Sequence, residues 1–379
     1  MTDLEPILSL WRELEAAGAE YVLATVVAVE GSSYRKPGAR MLLAADGRRA
    51  GTVSGGCLEA EVSRRAWWLT EAGPTVERYS TADDDGDRPY GSGCGGVVHL
   101  LLERRNTAHP LLLALEEAFH AREPLAVATV LEGEHAGERE FFHGQRDAAT
   151  DDPLGLRALA QNAYERGTST ETHLPIEDVK TRVRKTWIRV DYCAPRPGVW
   201  VFSAGDDARP LVRMARELGW FVVVADGRSH LATRERFPEA DEVRVLPIAE
   251  LPQAAPAHFN PRPTDAAVMM THSFEQDSRV LASLLALKTP PAYMGVLGPQ
   301  RRTRELLAEA ALLLRLPATA DRVETWLAQL HAPTGLDLGA ETPAAVALSI
   351  LAEMQKVLGA ATGQPLRQVR TDSQTMAER

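Results

Sequence analysis

Two of the three cysteines are flanked by glycine: Cys57 follows Ser54-Gly55-Gly56, and Cys94 stands in Gly93-Cys94-Gly95-Gly96. Glycines let backbone approach closely and leave a neighbouring thiol uncovered, so either sulfur is a candidate nucleophile or soft metal ligand. A helix-forming run from about Leu58 to Glu71 follows Cys57 directly and would set its thiol at a helix N-terminus. On these residues alone the alternative stays open, because a free cysteine also packs as a small apolar side chain. No Cys-x-x-Cys pair occurs, so nothing supports a closed zinc site, which needs about four N or S ligands at short spacings.

Two further groups lie downstream. In VWVFSAGDDARPL (199 to 211) a strand runs through a small-residue turn at Gly205 into a helix, and Asp226 ends the next strand 21 residues later. That order is the dinucleotide-site layout, with backbone N–H groups aimed at a phosphate and a carboxylate placed for a ribose hydroxyl. The turn reads Ser-Ala-Gly-Asp-Asp-Ala, however, and Asp206 and Asp207 put negative charge where a pyrophosphate would dock. An NAD(P)-dependent oxidoreductase is therefore the alternative function rather than the leading one. The other group is THSFEQD (271 to 277) with YMGVLGPQRR (293 to 302), both at the ends of apolar strands. His272, Asp277, Arg301 and Arg302 would then face one crevice, with the arginines suited to an anionic ligand.

The elements that must position these residues fall into two parts. The N-terminal part opens with an amphipathic helix (Leu4, Ile7, Leu8, Trp11 and Leu14 on one side) and a β-branched strand at 21 to 29. A hairpin about Asp46-Gly47 follows, then the helix after Cys57, strands near 75 to 79 and 97 to 102, a helix at 110 to 121, strands at 125 to 131 and 138 to 143, and a helix at 154 to 166. This is an α+β domain, 1–193. CAPRPGV (193 to 199) has the composition of a boundary. Beyond it, near-continuous apolar strands alternate with helices, which predicts a Rossmann-like, doubly wound parallel-sheet domain, 198–355, and so an α/β chain overall. A polar tail, 356–379, is expected to be flexible.

Composition excludes some classes. The 379 residues carry 42 basic against 52 acidic side chains, a formal charge of -10 with no basic stripe, so nucleic acid is not an expected partner. No run approaches the roughly 20 apolar residues that cross a bilayer, and the first residues show no basic n-region or cleavage site. A cytoplasmic location with reduced thiols is expected.

Several stretches together resemble one family, the xanthine dehydrogenase accessory proteins of the XdhC/CoxI type. They are GSSYRKPGARMLL (31 to 43), GTVSGGCLEAEV (51 to 62), GCGG (93 to 96), LATRERFPEAD (231 to 241), THSFEQD, YMGVLG with its arginines, and HAPTGLDLGAETPAAVALSILAEM (331 to 354). The resemblance implies a non-enzymatic maturation factor, with no catalytic residue of its own, that binds the molybdenum cofactor (molybdopterin) as cargo. It further implies that the chain assists sulfuration of the cofactor and delivers it to a xanthine dehydrogenase or other molybdenum hydroxylase. A cysteine desulfurase as a further partner and a homodimeric state are expected with it. By position, Cys57 would be the family's glycine-flanked cysteine, touching the metal or its sulfur, and Asp337 and Glu341 would be the polar members of a second signature. Cys94 would add a soft group, while Arg35, Lys36 and Arg40, or Arg301 and Arg302, would supply donors for the pterin phosphate. Family members carry a GAGH-like turn where Ser203-Ala204-Gly205-Asp206 stands here, and a serine before the arginines where Pro299-Gln300 stands.

Overall fold

A computed structural model describes residues 4–80, 96–144, 152, 154–176 and 184–369. The chain divides into two compact units, the first reaching Pro195 and the second running Arg196–Val369.

The first unit contains α1 (Leu4–Ala16), β1 (Tyr21–Glu30), β2 (Arg40–Ala44), β3 (Arg49–Gly51), α2 (Glu59–Leu69), β4 (Thr75–Ser80), β5 (Val97–Arg104) and α3 (Arg105–Ala121). It continues with β6 (Leu125–Val130), β7 (Arg139–Phe142), α4 (Leu156–Arg166), β8 (Thr170–Ile176) and β9 (Arg184–Cys193). Two antiparallel sheets result, in the orders β3-β2-β1-β5-β4 and β7-β6-β9-β8. The two-residue period of a strand sends alternate side chains of β1 into different cores. Tyr21 and Leu23 join Leu42, Ala44, α1 and α3, while Val22, Ala24 and Val26 join Met41, Leu43 and the α2 residues Val62 and Ala66. The apolar face expected for α1 is the buried one, with Leu10 added. Covered on both sides, β1 is the rigid base from which the loops at its end project.

Three features depart from the sequence-based expectation. Strands β8 and β9 have no counterpart in it, because β9 buries Arg189 and Asp191 where an apolar alternation would be sought. The two side chains neutralise each other across 2.8 Å, which is how a strand interior tolerates them. Helix α3 begins five residues before the expected 110, since Pro110 in its second turn forfeits one backbone bond without ending the helix.

The second unit contains β10 (Gly198–Phe202), α5 (Ala208–Glu217), β11 (Phe221–Asp226), β12 (Glu242–Val245), α6 (Ala255–His258), β13 (Ala266–Met269) and α7 (Phe274–Leu285). After these come β14 (Tyr293–Val296), α8 (Gln300–Leu313), α9 (Ala320–Leu327), α10 (Pro343–Leu358) and α11 (Leu366–Val369). Its sheet is wholly parallel, in the order β12-β11-β10-β13-β14. Val199, Val201, Val222 and Val224 point to α5 and α10; Trp200, Phe202, Val223 and Ala225 point to α7, α8 and α9. This is the doubly wound Rossmann-like arrangement expected, with its strand order reversing between β10 and β13. Helix α10 is capped by the Thr342 hydroxyl, which accepts from the Ala345 amide at 3.2 Å, with Pro343 at its first position. It runs to Leu358, past the residue where a tail was expected to begin. Among the described residues no helix is long and apolar enough to cross a membrane.

Candidate functional site

The Ser54-Gly55-Gly56-Cys57 segment is the loop that leaves β3 and enters α2, and one buried carboxylate shapes it. Glu59, 2% exposed in the first turn of α2, turns back to accept from the amides of Val53 (3.2 Å) and Ser54 (2.9 Å) and from the Ser54 hydroxyl (2.7 Å). The Ser54 oxygen in turn accepts from the Leu58 amide at 3.0 Å. Burial opposes ionisation of Glu59, but the Ser54 hydroxyl and the convergent amides outweigh it and hold the carboxyl below its ordinary value. The loop is thus pinned at both ends around Gly55, Gly56 and Cys57. Gly56 has φ +114°, a conformation L side chains rarely adopt, and no neighbouring atom lies where its Cβ would be. Cys57 is half-buried and unbridged beside it, immediately before α2. The half-buried cysteine thus stands on a backbone segment fixed by Glu59 and Ser54.

The loop after β1 meets this one and also meets the end of the second glycine-flanked motif. A Cβ on Gly55 would lie 3.3 Å from the Tyr34 ring, so the SGGC loop rests against Gly31-Ser32-Ser33-Tyr34-Arg35-Lys36. At Gly96, the last glycine of the second glycine-flanked cysteine motif, a Cβ would lie 2.1 Å from the Ser32 carbonyl oxygen, so only glycine passes there. Pairing of β5 with β1, with Val97 opposite Glu30, enforces that approach. Arg35 sits half-buried on the shared loop. Cys94 and Gly95 lie outside the described residues. Among those described, no group of three or more His, Cys, Asp or Glu side chains could hold a metal ion.

The second unit places its candidates differently. Asp226 is fully buried, and both its oxygens are engaged: Oδ2 by the Ala204 amide and an Arg228 nitrogen (2.7 Å each), Oδ1 by the Arg228 amide and Nε (2.8 and 3.0 Å). Burial opposes its charge, yet Arg228 and the Ala204 amide keep its carboxyl below the usual range. The group a ribose would use closes its own turn instead. The Gly205 amide donates to Ser203 Oγ at 3.1 Å. Asp277 is buried, raised by desolvation, and bound by the Thr271 hydroxyl (2.6 Å) and Arg302 (2.7 Å). His272 is exposed, Arg301 is exposed and pairs with Glu305 at 3.1 Å, and Asp337 and Glu341 are exposed ahead of α10.

One cluster escapes the sequence reading. Glu353 in α10 accepts from the Tyr293 hydroxyl and the Gly335 amide at 2.7 Å each and meets His331 at 3.1 Å; the Tyr293 and His331 rings stack at 4.3 Å. Its signal is visible afterwards, since Glu353 is the lone charged residue between Pro343 and Gln355.

Known proteins resemble this chain in sequence and fold. The family model described as the XdhC and CoxI family matches residues 14–80, and that of the XdhC Rossmann domain matches residues 199–354. The chain is 31% identical over 341 residues to a protein of Bacillus subtilis named as a probable subunit of xanthine dehydrogenase, covering 88% of this chain and 92% of that one. It is 32% identical over 134 residues to the molybdenum cofactor insertion chaperone PaoD of Escherichia coli, covering 33% of this chain and 39% of the relative. A crystal structure of a xanthine dehydrogenase from Bacillus halodurans superposes with a TM-score of 0.70 at 27% identity, covering 97% of each chain. With one relative matched along nearly its whole length and a family model in each unit, the chain belongs to the XdhC and CoxI family.

Proposed function

We propose that this protein is a maturation factor that holds the molybdenum cofactor as cargo, assists its sulfuration, and passes it to a xanthine dehydrogenase or related molybdenum hydroxylase. The observation that carries this reading is the pinned SGGC loop: a half-buried cysteine on a segment fixed by Glu59, next to the open position of Gly56. The names of two relatives, one referring to xanthine dehydrogenase and the other to cofactor insertion, support the same assignment. The donor set fits such a cargo. The cofactor brings the sulfur ligands of its own pterin, so the protein needs to offer only one soft group, and so light a hold permits release. Cys57 supplies that contact, Glu59 and Ser54 hold it in place, and Gly56, with nothing within 4 Å of where its Cβ would be, leaves room for the ligand. Sulfuration requires a sulfur donor that this chain must receive from elsewhere, and a cysteine desulfurase is the partner class with that chemistry.

The test is to purify the protein anaerobically from cells that make the cofactor and to measure molybdenum and pterin per chain. Near-stoichiometric amounts are expected for the wild type; a preparation free of both would overturn the assignment.

A further inference from the structure

The sulfur contact leaves the phosphate end of such a ligand unassigned, and the first unit holds a place for it. Two cavities of about 560 and 740 Å³ share Arg35, Lys36, Pro37, Ser169 and Tyr192 in their walls. Both lie along the loop against which the SGGC segment rests. Among the described residues their charged lining comprises the cations Arg35, Lys36, Arg40 and Arg189 and the carboxylates Asp191 and Glu171. That balance is opposite in sign to the formal charge of -10 on the whole chain.

The floor carries the excess deeper. Arg40 is 9% exposed and Arg189 is 8% exposed, and the two share one carboxylate, Asp191, at 3.8 and 2.8 Å. Behind them Arg139, its side chain 4% exposed, is spent on Glu103, so among the described residues three buried guanidinium groups face two buried carboxylates. Arg40 donates to the Gly38 carbonyl at 3.0 Å, while its Nε, buried, has no hydrogen-bond partner among the described residues. A buried cation in excess over its partners is costly unless an anion completes it, and the planar fork of a guanidinium matches the oxygens of a phosphate. Of the arginines expected for that role in the second unit, Arg302 is committed to the buried Asp277, while Arg301 is 91% exposed and pairs with Glu305 on the helix surface.

We propose that this cleft, floored by Arg40 and Arg189 and rimmed by Arg35 and Lys36, binds the phosphate of an organic phosphate ester. Under the function proposed above, on which this inference rests, that group is the phosphate of the pterin cargo. Tyr34 and Tyr192 in the walls offer aromatic faces to the ring system that carries it.

Calorimetric titration of the full chain with inorganic phosphate and with guanosine 5′-monophosphate, in a phosphate-free buffer at low salt, tests the cleft. Saturable binding is expected for both probes, tighter for the nucleotide, and weakened by about tenfold or more in Lys36→Glu and Arg40→Lys, the usual cost of a lost charge-assisted bond. Lys36 is exposed, so its variant keeps the test open should Arg40→Lys fail to fold. No saturable binding of either probe, binding unchanged in both variants, or binding lost in Arg301→Ala instead would overturn the assignment. Measuring molybdenum in the same preparations separates the two readings. Probe binding by a wild type that retains no cofactor sinks the cargo function and leaves the cleft, whereas retained cofactor without probe binding sinks the cleft alone.

Discussion

Replacing Glu59 tests whether the SGGC loop is built as described. In Glu59→Ala three donors lose their acceptor at once: the Val53 and Ser54 amides and the Ser54 hydroxyl. Each orphaned buried donor costs about 1–3 kcal/mol, but neighbouring losses are not additive, so about 3–5 kcal/mol is expected for the site. For a unit of this size that is a fall in Tm of roughly 10 °C. Glu59→Gln keeps an oxygen for the two amides and gives up the charge, and should cost about 1–2 kcal/mol. The carboxyl lies below its ordinary value of 4.5 in the fold, so its stabilisation is complete above that value and is lost as pH falls through the lowered one. Wild type and Glu59→Gln should therefore differ near neutrality and converge in acid. Calorimetry gives Tm, and iodoacetamide labelling with peptide mapping gives Cys57 reactivity, which should rise as the loop loosens. A Glu59→Ala protein within about 0.5 kcal/mol of wild type, with unchanged Cys57 labelling, would refute this account of the loop.

Three other outcomes are expected. Gly96→Ala puts a Cβ 2.1 Å from the Ser32 carbonyl oxygen and should cost at least about 2 kcal/mol by urea denaturation, as β5 or the 31–36 loop must shift. Tyr293→Phe removes the hydroxyl that donates to Glu353 while leaving the ring stacked on His331, for a loss of about 1–2 kcal/mol by the same method. Titration with NADH should show no saturable binding below about 1 mM, because Asp226 is closed onto Arg228 and Ala204; tighter binding that Asp226→Ala abolishes would contradict that reading.

What the sequence reveals follows from where its charges are buried. Strands β10, β11, β13 and β14 are covered by helices on both faces, so they read as apolar runs and are legible to within a few residues. Strand β9 is hidden because Arg189 and Asp191 compensate each other inside it, a pairing no periodicity displays. The SGGC loop announces its cysteine and glycines, yet not the Glu59 that shapes it, since that depends on a helix residue folding back onto Val53 and Ser54. Likewise Asp226 stands where a ribose ligand belongs, and only the fold reveals that Arg228 occupies it. The approach of Gly96 to Ser32 lies beyond the sequence, for it rests on the register of β5 against β1.

The central claim is that the Cys57 sulfur meets the molybdenum of a bound cargo. X-ray absorption at the molybdenum edge, on protein isolated with its cofactor, compares wild type with Cys57→Ser most directly. The expected result is one sulfur scatterer more in the wild type than in the variant, together with a lower molybdenum content in the variant. Identical sulfur shells and equal molybdenum content in the two proteins would contradict it.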